Sequence, residues 1–234
     1  LPADAFADPV WNALHTTHRA LALTVGLACK YPRDVAPFAA LGENTSAAMR
    51  DLHSLLQPAE TTCVIDPAPP WVDGLLVEPG PVCLQMSFPP DAPLPEIEPG
   101  LKPVMVPLSC ADGPAMVALT DVAFPGYFRP RTCVMGHYYG VRDPQDPERL
   151  VAMAGERMCP FPFREVSGVC THPEYRGHGY AAALIAQVLA KQRSLEALST
   201  LWVVHSNQKA IDLYLRLGFY RVREVQLHRV TREP

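Results

Sequence analysis

The chain has 234 residues, 48 % of them apolar and 19 % charged, with a formal net charge of −4 at pH 7. That composition supports a buried core and excludes a disordered tail, and at about 100–200 residues per domain it allows one large domain or two small ones. The charge is unevenly spread: residues 1–100 carry four basic and twelve acidic side chains, residues 101–234 sixteen basic and twelve acidic. An acidic chain argues against nucleic-acid binding, which rests on Lys and Arg. The basic part suits a phosphate-bearing ligand and the acidic part a cationic partner, the alternative being two ordinary solvated surfaces.

Seven cysteines, Cys29, Cys63, Cys83, Cys110, Cys133, Cys159 and Cys170, sit in mostly apolar or strand-like surroundings without a CxxC pair. This predicts free thiols in a reducing cytoplasm, with neither a disulfide framework nor a zinc site. The most apolar run, Ala20 to Cys29, falls well short of a membrane span, and the opening LPADAFADPV lacks the basic stretch of a secretory leader.

In chain order, Asp8-Pro9 starts a helix, with an N-cap acid before proline at the first helical position, and Val10, Trp11, Leu14 and Leu21 supply its apolar side. Tyr31-Pro32 ends that region, and a second helix is expected over Ser46 to Leu56. Short strands are expected over Thr61 to Ile65, Gly74 to Val77 and Val82 to Met86, set off by Pro and Gly turns. The stretch SFPPDAPLPEIEPGLKP, from Ser87 to Pro103, is too rich in proline for helix or sheet interior and reads as an extended connector. The expected organisation is an N-terminal α+β unit over 1–88, a connector over 89–103, and a second domain over 104–234.

That second domain is predicted to hold a strand over Pro103 to Leu108 and helices over Pro114 to Ala123 and Arg131 to Tyr139. Strands over Leu150 to Met158 and Glu165 to Thr171 follow, then a helix over Gly179 to Gln192 with Ala181, Leu184, Ile185, Val188 and Leu189 on one face. A strand over Leu201 to His205, a helix over Gln208 to Leu217 and a strand over Arg221 to Val230 close the chain.

The chemistry lies in GVCTHPEYRGHGYAAALIAQ, residues 168–187. A Walker loop needs GxxxxGK followed by Ser or Thr, and none is present. Gly177 to Ala182 fits a Rossmann GxGxxA, but six residues separate the preceding strand from the first glycine, and the next strand ends in His205-Ser206-Asn207 without the ribose-binding acid. The better fit is RxxGxA, Arg176 to Ala181, set between a strand and a helix. Glycines let a backbone approach a ligand closely, a helix start offers unpaired N–H groups to a pyrophosphate, and Arg176 adds a permanent charge. About thirty residues on, Asn207, Ala210, Tyr214, Gly218 and Phe219 form NxxAxxxYxxxGF.

Together the two motifs resemble the GNAT superfamily of N-acetyltransferases over roughly residues 101–234, and EVSGVCTHPEYRGHGYA looks like the bacterial branch often labelled FR-type. The resemblance implies an α/β (α+β) fold: a central mixed, mostly antiparallel sheet flanked by helices, beside the smaller N-terminal unit. Residues 1–100 carry no motif, and their helix-then-sheet order is open to reading as a degenerate half of the same fold. By the same resemblance acetyl-CoA (coenzyme A) is the co-substrate and no metal is needed. Val169, Cys170 and Thr171 would bind the pantetheine arm, Arg176, Gly177, His178, Gly179, Tyr180 and Ala181 the pyrophosphate. Asn207 would touch the pantetheine or position the last helix.

Acyl transfer to an amine needs the amine's proton removed, since a free amine titrates near about 10.4. Glu165, four residues before Val169 and on the same strand face, matches the position where some family members place a catalytic glutamate. Tyr214 matches the family's general acid for the departing thiolate, and the Val169 N–H the donor to the carbonyl oxygen. His205 and a water chain stay open as alternative bases. Cys170 as an acyl carrier, and Phe124, Tyr127, Phe128, Tyr138 and Tyr139 as acceptor-pocket walls, stand beside plain core packing. The expected partner is a small-molecule or peptide amine, cationic if the acidic half attracts it, with no nucleic acid or membrane and with assembly, a homodimer included, left open. The competing function is a non-catalytic acyl-CoA-binding or regulatory protein.

Overall fold

The structure, a computed structural model, describes residues 7–101, 104–124 and 126–234. Asp8 caps helix α1 (Pro9–His15), its carboxylate accepting from the Trp11 N–H at 2.8 Å. The chain then builds a three-stranded antiparallel sheet, β1 (Leu23–Val25), β2 (Ala28–Lys30) and β3 (Ala39–Leu41), on which α2 (Ser46–Leu55) packs. These three strands escaped the sequence reading because each is only three residues long, too short for a period of two to register.

The remaining strands form one sheet of eight in the order β4-β11-β5-β10-β9-β8-β7-β6. They are β4 (Thr61–Ile65), β5 (Leu75–Phe88), β6 (Met105–Leu108), β7 (Tyr138–Arg142), β8 (Leu150–Glu156), β9 (Phe163–Thr171), β10 (Leu198–Val204) and β11 (Tyr220–Arg232). Every pairing is antiparallel except β9 with β10, which is the mixed, mostly antiparallel sheet that was expected. Helices α3 (Gly113–Ala123), α4 (Tyr180–Ser194) and α5 (Gln208–Arg216) flank it. Leu184, Ile185 and Val188 of α4 pack with Val151, Val166 and Leu201 in the largest core cluster.

The structure differs from expectation at four places. First, the strands expected over Gly74 to Val77 and Val82 to Met86 are one strand, β5, running through Pro79-Gly80-Pro81. The prolines are tolerated because β10 pairs β5 only from Cys83 onward, so the missing donors cost no second ladder. Second, residues 1–88 share their sheet with 104–234: β5 lies between β10 and β11 near the middle of it. Val10, Leu14 and Tyr31 also share a core with Met135, Met158 and Leu227. The proline-rich segment, whose residues 102 and 103 lie outside the described residues, thus joins two strands of one sheet.

Third, the helix expected over Arg131 to Tyr139 is a 3-10 turn, Thr132–Met135, followed by β7. Gly136 disfavours a helix and the aromatic pair Tyr138-Tyr139 favours a strand, and a side chain at Gly136 would collide with Glu156. Fourth, Cys110 and Cys133 are joined in a disulfide, their Cα atoms 5.3 Å apart. The expectation of seven free thiols is corrected: the fold brings together two cysteines that lie 23 residues apart in sequence, and spacing alone cannot reveal such a pair. Cys29, Cys63, Cys83, Cys159 and Cys170 are free and buried. Among the described residues no helix is long and apolar enough to cross a membrane.

Candidate active site

The site begins where β9 and β10 part. They pair over Phe163–Val166 and Leu198–Leu201 and then separate. Beyond that point Trp202, Val203 and Val204 pair with β5, while Ser167, Cys170 and Thr171 pair with β8. Met153 faces Cys170 and Gly155 faces Ser167, so Gly168 and Val169 together oppose Ala154, a two-against-one bulge. Gly168 makes the bulge with φ +63°, which favours glycine, and a Cβ there would press on the Tyr138 ring at 3.2 Å. On the side that β10 has left, the edge along Val169, Cys170 and Thr171 faces a cavity of about 630 Å³ instead of a second neighbouring strand.

At the far end of β9 a 3-10 turn, Pro173–Tyr175, leads into the glycine loop. The turn is anchored: the Tyr175 hydroxyl donates to Asp143 at 2.5 Å, and Arg149 pairs with Glu174 at 3.0 Å. Gly177 at φ +87° and Gly179 at φ +77° then swing the chain into α4, with Gly179 as its N-cap. Nothing lies within 4 Å of a Cβ built on Gly177. The first-turn N–H groups of α4 have no acceptor within the helix, and Arg176 and Ala181 line the cavity there. His178 bonds the Tyr175 carbonyl at 3.0 Å and stacks on Tyr180 at 5.6 Å, exposed beside the loop. Open space, turned-out backbone donors and a guanidinium suit a pyrophosphate.

Asn207 caps α5, its side-chain oxygen accepting from the Ala210 N–H at 3.2 Å, and it also lines the cavity. Tyr214, two turns further along, is 8 % exposed and lines the same cavity. Burial, with Glu165 and Cys170 adding to it, pushes its hydroxyl well above the ordinary tyrosine value, so it stays protonated throughout the neutral range. Cys170 lines the cavity too, but burial pushes its thiol up to about 12, which leaves it a poor nucleophile.

Glu165 is elsewhere. It is 2 % exposed and does not line the cavity. Its carboxylate is held by Arg157 through Nε at 3.1 Å and Nη2 at 2.6 Å, and it also accepts the Met158 N–H at 3.1 Å. Burial works against the Arg157 charge, and Glu165 more than offsets it, so the guanidinium is held above its ordinary value. With both oxygens engaged by these donors and turned away from the cavity, the carboxylate is badly placed to take a proton from a substrate. His205 is also out of position, exposed and paired with Glu224 at 2.7 Å.

Of the aromatic run, Phe124 and Tyr127 line the cavity, whereas Phe128 and Tyr138 pack edge to face in a core cluster with Met116 and Met153. Tyr139 is half-buried on β7, packed against the main core. Sequence reasoning missed Arg157, Phe38 and Trp202, which also line the cavity. Arg157 had a legible signal: it lies just past β8 and opposite Glu165 on the adjacent antiparallel strand, where opposite charges pair. Phe38 had none, since it reaches the site only through the shared core. Among the described residues no cluster of three or more His, Cys, Asp or Glu side chains could hold a metal ion.

Residues 119–219 match the family model described as the acetyltransferase (GNAT) family. A GNAT-family protein from Novosphingobium aromaticivorans is 36 % identical in sequence, with 98 % of this chain and 99 % of that one covered and a TM-score of 0.85. A Drosophila protein has a TM-score of 0.61 at 14 % identity, covering 88 % of this chain and 74 % of its own. A GCN5-related N-acetyltransferase from Kribbella flavida has a TM-score of 0.56 at 17 % identity, covering 96 % of each chain. No curated protein matches the chain.

Proposed function

The chain belongs to the GNAT acetyltransferase family, and on that premise we propose that it moves an acetyl group from acetyl-CoA to an amine by direct attack. The observation that carries this reading is the parting of β9 from β10 beside the glycine-turned start of α4, with Tyr214 in the same cavity. The exposed edge at Val169, Cys170 and Thr171 receives the pantetheine arm as an added strand. Arg176 and the backbone from Gly177 to Ala181, with His178 and Tyr180 beside it, receive the pyrophosphate. Asn207 holds α5 in place and borders the pantetheine.

In the reaction the amine nitrogen bonds to the thioester carbon, the carbon–sulfur bond breaks, and the amine loses a proton. The Val169 N–H, released from the ladder by the bulge, supports the carbonyl oxygen as charge gathers there. Tyr214 donates a hydrogen bond to the departing sulfur. An alkyl thiol is more acidic than a tyrosine raised by burial, so full proton transfer is uphill, and the hydroxyl acts by stabilising the thiolate. Among the described residues no carboxylate or histidine lines the cavity, and the proton leaves through water. Glu165 positions Arg157 and the turn at Met158.

That no described lining residue is a base also favours a second reading, a non-catalytic acyl-CoA binder. Calorimetric titration of acetyl-CoA, with Arg176→Ala as control, tests what both readings share. Micromolar binding that the variant loses is expected; no binding to folded protein refutes both. Acetyl transfer to any amine in a mass-spectrometric screen then decides for the enzyme.

A further inference from the structure

Arg157 is only half used. Nε and Nη2 are committed to Glu165, and its guanidinium carbon lies 4.6 Å from the centre of the Phe38 ring. Nη1 has no partner among the described residues, and the side chain, 14 % exposed, lines the cavity. A guanidinium presents five N–H donors in a rigid fork. Here Glu165 fixes one edge and Phe38 the plane, so the remaining edge is aimed without freedom. That is how a recognition arginine is held, since little entropy is left to lose when it binds.

Phe38, Cys83, Tyr127, Trp202 and Leu227, which also line the cavity, pack together in one core cluster and give it a mostly apolar wall beside Arg157. Among the described residues the charged ones on the lining are Arg157, Arg176 and Lys209, all positive. None of the acidic side chains described between residues 7 and 100 lines the cavity. A polycationic acceptor would meet like charge, whereas a neutral amine gains: apolar walls and nearby positive charge both weaken an ammonium's hold on its proton. The same surroundings that lack a base make one less necessary.

We propose, resting on the acyl-transfer reading above, that the acceptor is a primary amine with an aromatic or branched apolar body and a carbonyl-type oxygen beside the nitrogen, and that Arg157 Nη1 donates to that oxygen. An apolar amino acid, its amide and a peptide N-terminus all carry this chemistry. Arg157 acts as a specificity residue and Glu165 as its positioning residue.

The test compares acetylation of phenylalanine, phenylalaninamide, phenethylamine and spermidine by the full chain, after calorimetry with acetyl-CoA. A hydrogen bond to a charged group corresponds to about tenfold or more in affinity. The expected result is that kcat/KM for phenylalanine, phenylalaninamide or both exceeds that for phenethylamine at least tenfold, with spermidine poorest. Phenylalanine ahead of its amide assigns the oxygen to a carboxylate; the reverse assigns it to an amide. Phenethylamine or spermidine equal to the best, or no turnover of the four despite acetyl-CoA binding, overturns the proposal and leaves the acetyl-CoA reading standing. Failure to bind acetyl-CoA overturns both. As a second line, Arg157→Met combined with Glu165→Leu removes the ion pair as a unit, and should bring phenylalaninamide and phenethylamine to the same saturation-transfer NMR signal. A difference that survives in this variant also overturns the proposal.

Discussion

Replacing Glu165 by Gln separates two roles that sequence pattern alone could not. The substitution keeps the shape but leaves Arg157, largely buried on the Phe38 ring, with one neutral acceptor in place of a bidentate carboxylate. Breaking a buried pair from one side costs about 3–5 kcal/mol. The low end applies here, because Arg157 borders the cavity and glutamine retains one oxygen. For a chain of this size each kcal/mol moves Tm by about 2–4 °C, so 3 kcal/mol predicts a fall of roughly 6–12 °C in a differential scanning experiment. Kinetically, a positioning residue that loosens Arg157 raises KM for the acceptor and leaves the pH dependence of kcat in place, because the limb then reports the amine. A general base would behave otherwise: kcat would drop by about 10²–10⁴ and the acidic limb would vanish. A fall of that size with Tm unchanged would refute the geometric argument and return Glu165 to the base role.

Tyr214→Phe keeps the ring packing with Phe219 and removes the donor to the departing thiolate; kcat should fall about 10²–10³ with acetyl-CoA affinity within twofold, measured by steady-state kinetics beside calorimetry. Cys170→Ala should retain kcat within a few-fold: with a thiol at about 12, about one molecule in ten thousand is thiolate at pH 8, and trapping of an acyl-enzyme by mass spectrometry would contradict this. A chain truncated to residues 104–234 should fail to fold by circular dichroism, because it loses β5 from the middle of the sheet. Met86 and Phe88 on that strand are 0 % and 3 % exposed, and losing side chains of this kind costs about 2–5 kcal/mol each against a total stability of about 5–15. A folded, acetyl-CoA-binding truncated chain would show that residues 1–88 are an independent unit after all.

How much of this was legible depends on whether the signal was local. The turn-and-helix grammar of RGHGYA, the N-cap at Asn207 and the five residues of NxxAxxxYxxxGF each describe backbone that a short window dictates, and the sequence-based placement of α4 and α5 agrees with the structure to within one or two residues. The bulge at Gly168 was readable for the same reason, since a glycine in a strand marks a bulge or a close approach. The disulfide, the insertion of β5 between β10 and β11, and the arrival of Phe38 at the cavity are contacts between distant segments, for which no window carries a pattern. Glu165 shows the intermediate case. Its alternation with Val169 rightly put the two on one strand, but the four-residue interval crosses the bulge at Gly168, where the count of faces slips by one. The same feature that frees the Val169 edge for a ligand therefore turns Glu165 away from it. The carboxylate goes into the core beside Arg157, and the cavity is left with a guanidinium edge where a base had been expected.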